Sequence, residues 1–176
     1  LYDLHLSREK LMDYGVKLGA DVPYCILRGT ALSEGIGEIL TPLPPMPKCH
    51  ILIAKPQINV STKYVYEHLV LDDTTVHPDI DGMVGAIKEG NLRGITDRMA
   101  NVLETVTVEE YPVITRIKET MVSNGAINSL MSGSGPTVFG IFEDEVKASN
   151  CKDTIKKLDL AKQVYVVEPF NQNIWR

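Results

Sequence analysis

The sequence predicts an α+β fold of the ferredoxin-like kind, an antiparallel sheet with helices on one face. Its strongest signal is Ile127 to Phe142 (INSLMSGSGPTVFGIF), which reads as a strand, a glycine loop and a second strand apolar on both faces. Two further strand-like runs are Ile51 to Ala54 and Gln163 to Val167. Helical periodicity fills the intervals, so the order from Ile51 onward is β, helices, β, β, α, β.

Composition restricts the functional classes. The 176 residues include 44% hydrophobic residues, enough for a core, and the net charge of −5 comes without the basic and aromatic clusters that bind nucleic acid. No apolar run reaches transmembrane length and no signal sequence is visible, so no membrane attachment is expected. The three cysteines are far apart, and the four histidines lack metal-ligand spacing. We therefore expect no disulfide, no metal site and a reducing cytoplasm.

A proline-rich segment divides the chain. Thr41 to Pro47 contains four prolines and predicts a stiff, extended linker. We therefore expect two parts, residues 1–45 and residues 46–176.

Before the linker, the pattern predicts a helix and then strands. Ser7 can cap a helix over Arg8 to Leu18. Asp21 follows the helix end and precedes an apolar run that reads as a strand, and an aspartate in that position is usually a turn-former. Arg28 to Leu32 reads as a strand, and Ser33 to Glu38 as a glycine-rich turn.

After the linker, apolar residues recur at helical spacing. The predicted helices are Thr62 to Leu69 with Ser61 as its cap, Asp81 to Lys88, Asn91 to Asn101, one that begins at Pro112, and one before the last strand. The buried stripes of the last two helices are expected to be Val113, Ile114, Ile117, Met121 and Val122, and Ala148, Cys151, Ile155 and Leu158.

The glycine loop between the paired strands is a candidate anion site. Gly133 and Gly135 carry no side chain, so backbone N–H groups can approach an anion closely. The pattern is not a P-loop, because no lysine follows the second glycine, and not a dinucleotide fingerprint, because Val138 stands where a third glycine is needed. A plain tight hairpin is the alternative interpretation.

Three segments taken together resemble the GHMP kinase superfamily: GADVP at Gly19 to Pro23, GTALSEGIGEIL at Gly29 to Leu40, and MSGSGPTVFGIF at Met131 to Phe142. The third segment alone is similar to a motif of all GHMP kinases. The first two, supported by AKPQINVSTKYVY at Ala54 to Tyr66, narrow the resemblance to the branch that serves non-mevalonate isoprenoid synthesis. The resemblance extends along essentially the whole chain.

Two family motifs lie outside the resemblance: an N-terminal motif with a catalytic lysine, and the long glycine-serine loop that wraps the ATP phosphates. The resemblance therefore implies a C-terminal fragment, in which residues 1–45 end the N-terminal domain and residues 46–176 form the whole C-terminal domain. It implies that this chain alone has no kinase activity and no tight ATP site. We expect the uncovered apolar face before the linker to be buried by rearrangement or self-association; it comprises Leu11, Leu18, Val22, Ile26 and Leu32.

The resemblance also implies a reaction. An intact kinase of this branch transfers the γ-phosphoryl group of ATP, with Mg²⁺, to a hydroxyl of diphosphocytidyl-methylerythritol. A carboxylate beside an acceptor alcohol can orient it and take its proton, and Asp21 matches the family's aspartate for that role. By the same resemblance, the loop formed by Gly133, Ser134 and Gly135 lies near the phosphates.

The substrate pocket is implied in the same way. Tyr66 matches a position where the family presents an aromatic ring to the cytosine, and Ile36 and Thr62 match positions that line the same pocket. The alternatives are structural: Tyr66 packed in a domain interface, and Ile36 and Thr62 as ordinary turn and helix residues. For the whole chain, the alternative is a non-catalytic ferredoxin-like module for small-molecule binding or dimerisation, which would not need Asp21 between its flanking glycines.

Overall fold

The computed structural model describes residues 5–73 and 75–171. Residues 172–176, the end of the predicted second domain, lie outside the described residues, as do residues 1–4 and Thr74 in the predicted loop. The elements in chain order are α1 Arg8–Val16, α2 Val22–Leu27, β1 Ala31–Glu34, β2 Ile39–Pro42, β3 His50–Lys55, α3 Thr62–His68, α4 Ile80–Lys88, α5 Leu92–Asp97, α6 Glu104–Glu110, α7 Val113–Ser123, β4 Asn128–Met131, β5 Val138–Phe142, α8 Glu145–Lys157 and β6 Gln163–Val167.

The larger sheet has four antiparallel strands in the order β4-β5-β3-β6. Leu52 of β3 lies between Gly140 of β5 and Val166 of β6, which sets the register of these three strands. The interior position of β5 explains why its sequence is apolar on both faces. The ferredoxin-like α+β plan predicted from the strand and helix order is confirmed.

Helices α7 and α8 cover one face of this sheet. Their inward side chains are fully buried, namely Ile114, Ile117, Met121, Ala148, Cys151 and Ile155. Burial without a stabilising charge raises the pKa of the Cys151 thiol to about 11, so this cysteine is a core residue. The predicted stripes were too wide at their ends, since Val122 and Leu158 are half exposed. Leu158 is the C-cap of α8, beyond its last helical residue, where the helical periodicity no longer holds.

The part before the linker differs from its prediction. The apolar run after Asp21 is the helix α2 and not a strand, because Pro23 lies in the first turn, where its fixed φ favours a helix. The strand predicted at Arg28 to Leu32 begins only at Ala31. Arg28 and Gly29 have φ values of 61° and 75°, which a strand cannot accommodate.

Strand β2 takes the first two residues of the predicted linker, because Pro42 pairs with Ala31 at the end of the two-stranded sheet. Further along, the side chain of Asn171 donates to the Met46 carbonyl at 2.9 Å and accepts from the Met46 N–H at 3.1 Å. The division at residues 45 and 46 stays a prediction.

Two helix predictions also had wrong ends. Helix α1 ends at Val16, two residues early, and the helix predicted over Asn91 to Asn101 ends at Asp97. The guanidinium of Arg98 donates to the Gly94 carbonyl and to Asp79, and thereby closes α5. Helix α6 follows after a turn, in a segment where the sequence predicts no element.

The apolar face before the linker is partly covered by the chain itself. Gly15 of α1 lies so close to α2 that a Cβ there would be 2.9 Å from a Val22 methyl and 3.3 Å from Ile26. The two helices therefore pack through Gly15, whereas Leu18 keeps 84% of its surface exposed. Self-association through this face stays a prediction. None of the helices in the described ranges has the length and hydrophobicity needed to cross a membrane.

Candidate active site

The carboxylate of Asp21 is not used by the helix that it precedes. Asp21 is the N-cap residue of α2, and its side chain makes no capping hydrogen bond. It differs in this from the polar N-cap residues of other helices, whose side chains accept a backbone N–H, namely Ser7, Ser61, Asp79, Asn91 and Asp144. The helix-capping role that favours aspartate at such positions is therefore not what holds Asp21 in place.

Asp21 lines a cleft of about 840 Å³. Its lining includes Tyr24 and Arg28, from α2 and the turn after it, and Phe170, near the chain end. The Arg28 guanidinium lies over the Phe170 ring, 5.8 Å from its centroid. A cleft of this size, with an acidic group on one wall and a cation and aromatic surface nearby, suits a small polar organic molecule.

The predicted pocket residue Ile36 lies in a turn that packs against Asp21. A Cβ on Gly37 would be 3.7 Å from Asp21 Oδ1, an ordinary contact distance, so the turn lies beside the carboxylate, and the φ of +116° is what favours glycine at this position. The Ile36 N–H donates to Glu38 Oε2 at 2.7 Å, which fixes the turn, and 70% of the Ile36 surface is exposed. The structure thus places Ile36 in the turn beside the candidate base, with its side chain available for an organic ligand.

The predicted glycine loop is present between β4 and β5. Gly133 and Gly135 have φ values of 57° and 86°, a backbone conformation that glycine adopts without strain. The Ser132 N–H donates to Thr137 O and the Gly135 N–H to Ser132 O, so the loop is closed on itself. Within the described residues the N–H groups of Gly133 and Ser134 have no protein acceptor, and such groups can bind an anion.

The remaining pocket residues lie on α3, next to the glycine loop. Thr62 Oγ1 and Ser134 Oγ form a hydrogen bond of 2.8 Å. Tyr66 follows Thr62 by one helical turn and so shares its face of α3, with 61% of its surface exposed. Exposure of a large aromatic ring beside the loop favours a ligand contact over the packed alternative.

The predicted site residues thus form two groups. Asp21 and the turn of Ile36 make up the first, and Thr62, Tyr66 and the glycine loop make up the second. The cleft at Asp21 is lined by Gly37 of the turn and by Ser33 of β1 but not by Ile36 itself, and by no residue of the second group. The structure does not bring the two groups into one cavity.

Three side chains that hold the glycine loop were missed by the sequence reasoning. Asn101, Glu104 and Thr107 all bond to backbone atoms between Met131 and Ser134. Glu104 and Thr107 are three residues apart on α6, and the polar Thr107 between two valines was a usable signal for that helix face, whereas Asn101 precedes the helix and gave no such signal.

A larger groove of about 1190 Å³ runs between α3, α6 and the edge strand β4. Tyr64 stacks on His68 at one side of it, with ring centroids 3.9 Å apart. A hydrogen bond to the Glu110 carboxylate raises the pKa of the Tyr64 hydroxyl. None of the site residues predicted from the sequence lines this groove. In the part of the chain that the structure describes, no three histidine, cysteine or acidic side chains gather to hold a metal ion.

Residues 83–159 match the family described as GHMP kinases C terminal, and this segment belongs to that family. These residues are therefore identified as part of a GHMP kinase C-terminal domain. Over 170 residues it is 56% identical to 4-diphosphocytidyl-2-C-methyl-D-erythritol kinase of Lachnospira eligens, covering 97% of this chain and 59% of that protein. The enzyme of the same name from Lachnoclostridium phytofermentans is 54% identical, with 97% and 58% covered. The chain thus spans less than two thirds of the length of these relatives.

Solved structures show the same fold. A crystal structure of 4-(cytidine 5'-diphospho)-2C-methyl-D-erythritol kinase matches with a TM-score of 0.78 at 24% identity, covering 97% of this chain and 60% of that one. Homoserine kinase from Cytophaga hutchinsonii matches with a TM-score of 0.77 at 17% identity, covering 96% and 59%. At these identities the likeness establishes the fold and not the substrate.

Proposed function

We propose that the chain is the C-terminal part of an ATP-dependent kinase that phosphorylates a hydroxyl of 4-diphosphocytidyl-2-C-methyl-D-erythritol, a step of non-mevalonate isoprenoid synthesis. The observation that carries this proposal is the 56% identity, over 97% of the chain, to a relative of that name. The uncapped carboxylate of Asp21 in its cleft supports it. A cytoplasmic location, where thiols stay reduced, belongs to the same proposal, since the three cysteines are unpaired.

In this proposal Asp21 is the general base. The acceptor alcohol lies in the cleft, and its oxygen forms a bond to the γ-phosphorus of ATP as ADP leaves. Asp21 orients the hydroxyl and takes its proton as that bond forms. A carboxylate that also capped its helix would be held toward the backbone N–H groups, so the missing cap bond leaves Asp21 available for this role.

The glycine loop is proposed to bind the donor. The N–H groups of Gly133 and Ser134 would donate to phosphate oxygens, as backbone nests do in other phosphate sites. The described residues do not fit a metal cage. Mg²⁺ is commonly bound mainly by substrate phosphates and waters.

The chain alone is expected to show no turnover and no tight ATP binding. The chain spans 59% of the Lachnospira relative. By resemblance, the lysine and the glycine-serine loop that bind ATP belong to the part of the relative that this chain does not span. Titration calorimetry with ATP measures this. Binding in the micromolar range, about −8 kcal/mol, would show that the resemblance has been carried over wrongly.

The function itself is tested in a chimaera that joins the N-terminal part of the Lachnospira eligens relative to the whole of this chain. Release of ADP is followed with and without 4-diphosphocytidyl-2-C-methyl-D-erythritol. We expect ADP release that depends on this acceptor. A folded chimaera that binds the acceptor and releases no ADP would instead support the alternative of a non-catalytic small-molecule-binding module.

Tyr66 is expected to stack on the cytosine of the acceptor. Tyr66→Ala in the chimaera should weaken acceptor binding by about 1 to 3 kcal/mol, while Tyr66→Phe stays close to wild type, because the ring face makes the contact. Calorimetry with the cytidylated substrate measures both. Tyr64→Ala is the matched control on the same helix, because Tyr64 stacks on His68 instead. Equal losses for Tyr66→Ala and Tyr66→Phe would indicate a hydroxyl contact and reject stacking.

A further inference from the structure

The carboxamide of Asn101 holds two carbonyl groups at the start of the glycine loop. Its Nδ2 donates to Met131 O at 2.9 Å and to Gly133 O at 2.8 Å. Its Oδ1 accepts from the Leu103 N–H at 3.0 Å, at the start of α6. The side chain therefore joins the loop to this helix with every polar group that it has.

Two more side chains from α6 fasten the same stretch of backbone. Glu104 Oε1 accepts from the Met131 N–H at 2.6 Å, and its other oxygen pairs with Lys118. The Glu104 side chain is only 16% exposed, so this charge-assisted bond lies in a largely water-free setting. Thr107 is buried, and its Oγ1 lies 3.2 Å from Leu103 O and 3.3 Å from Ser134 O.

Because the peptide group is planar, fixing the direction of a carbonyl also fixes the direction of the next N–H. In a trans peptide the C=O of one residue and the N–H of the next point in opposite directions. Holding Gly133 O against Asn101 therefore points the Ser134 N–H away from Asn101. In the same way, holding Met131 O against Asn101 points the Ser132 N–H away from Asn101, and this N–H donates to Thr137 O.

We infer that Asn101 is a positioning residue of the donor site, assisted by Thr107. It fixes the Gly133–Ser134 peptide so that the Ser134 N–H presents itself to a phosphate of the nucleoside triphosphate. The inference deepens the proposed function and rests on it. Asn101 acts through the loop and is not itself a ligand of the phosphate.

The test is Asn101→Asp in the chimaera. Aspartate keeps the oxygen that accepts from the Leu103 N–H, but it places a second oxygen against the two carbonyls that the amide bonded. The loop peptide should then turn, and kcat is expected to fall about 100-fold, the usual cost of displacing a positioning group by about 1 Å. The KM for the acceptor should stay close to wild type. Unchanged kcat and unchanged KM for ATP in an active chimaera would overturn the inference.

Asn91→Asp is the matched control. Asn91 caps α5 by accepting from the Gly94 N–H at 2.9 Å, just as Asn101 accepts at the start of α6, and its bond lies away from the loop. An aspartate caps a helix equally well, so kcat should not change. An equal fall of kcat in both variants would assign the effect to helix capping and reject a positioning role.

A second readout does not depend on turnover. In the full chain alone, the exchange rate and NMR shift of the Ser134 amide should change with Asn101→Asp and not with Asn91→Asp. No difference at Ser134 would overturn the inference even if the kinetics changed. A wild-type chimaera without ADP release would refute the proposed function, while this amide would still report on the orientation of the peptide. If Asn101→Asp fails to fold, Thr107→Val removes the hydroxyl that contacts both Ser134 O and Leu103 O, and wild-type kinetics in that variant would count against the inference.

Discussion

Asp21→Asn is expected to lower kcat of the chimaera by about two to four orders of magnitude with little change in KM, because a general base is lost while its shape is kept. Asparagine can still accept a hydrogen bond from the acceptor hydroxyl, so the acceptor should bind as before. What it cannot do is take the proton as the new bond to phosphorus forms. Steady-state kinetics with both substrates measure the two parameters.

Asp144→Asn is the control for this substitution. Asp144 accepts from the Lys147 N–H at 2.8 Å as the N-cap of α8, a role that asparagine also fills, so kcat should not change. Near-normal kcat for Asp21→Asn would reject the assignment of the base. A parallel loss for Asp144→Asn would point to a general effect of the added amide.

Gly135→Ala is expected to destabilise the folded chain by about 1 to 2 kcal/mol from backbone strain and by about 1 to 3 kcal/mol from overpacking. The φ of Gly135 is +86°, and a Cβ there would lie 2.6 Å from the sulfur of Met131, which is buried and has little freedom to move. Urea unfolding of the full chain measures the loss.

Gly133→Ala separates the two causes. Gly133 also has a positive φ, +57°, but a Cβ there would have no atom within 4 Å. Only the strain should remain, so Gly133→Ala is expected to cost about 1 to 2 kcal/mol. Equal losses at the two positions would show that Met131 relaxes freely and that the close contact has no cost of its own.

The main sheet could be predicted from the sequence because its strands are short apolar runs bounded by turn residues. The strand at Gln163 to Val167 was placed with both ends correct, and the glycine loop lies where its residues predicted it. Helix α2 could not be predicted, since six apolar residues carry no period that separates a helix from a strand. Only the proline in its first turn distinguished the two.

The site was predictable to a smaller extent. The resemblance selected Asp21 and Tyr66 as individual positions. Hydrophobic periodicity, however, does not predict which loop contacts which helix. The hydrogen bond between Thr62 and Ser134, 72 residues apart, and the bonds of Asn101 to the glycine loop arise from tertiary packing alone. The predicted helix extended to Asn101, so this residue was assigned to a helix face, whereas in the structure Asn101 lies in the turn after α5.

The two hydrogen bonds between Asn171 and the Met46 backbone join positions 125 residues apart and close a ring through non-covalent contacts. The two ends of the enclosed segment lie next to each other, which is the geometry of a unit that can be inserted into another chain. Such units tolerate circular permutation and transfer between proteins, because new ends can be opened elsewhere once the old ones are joined. The part before Met46 meets this unit beside the same point, because Arg28 lies over the ring of Phe170, the residue before Asn171.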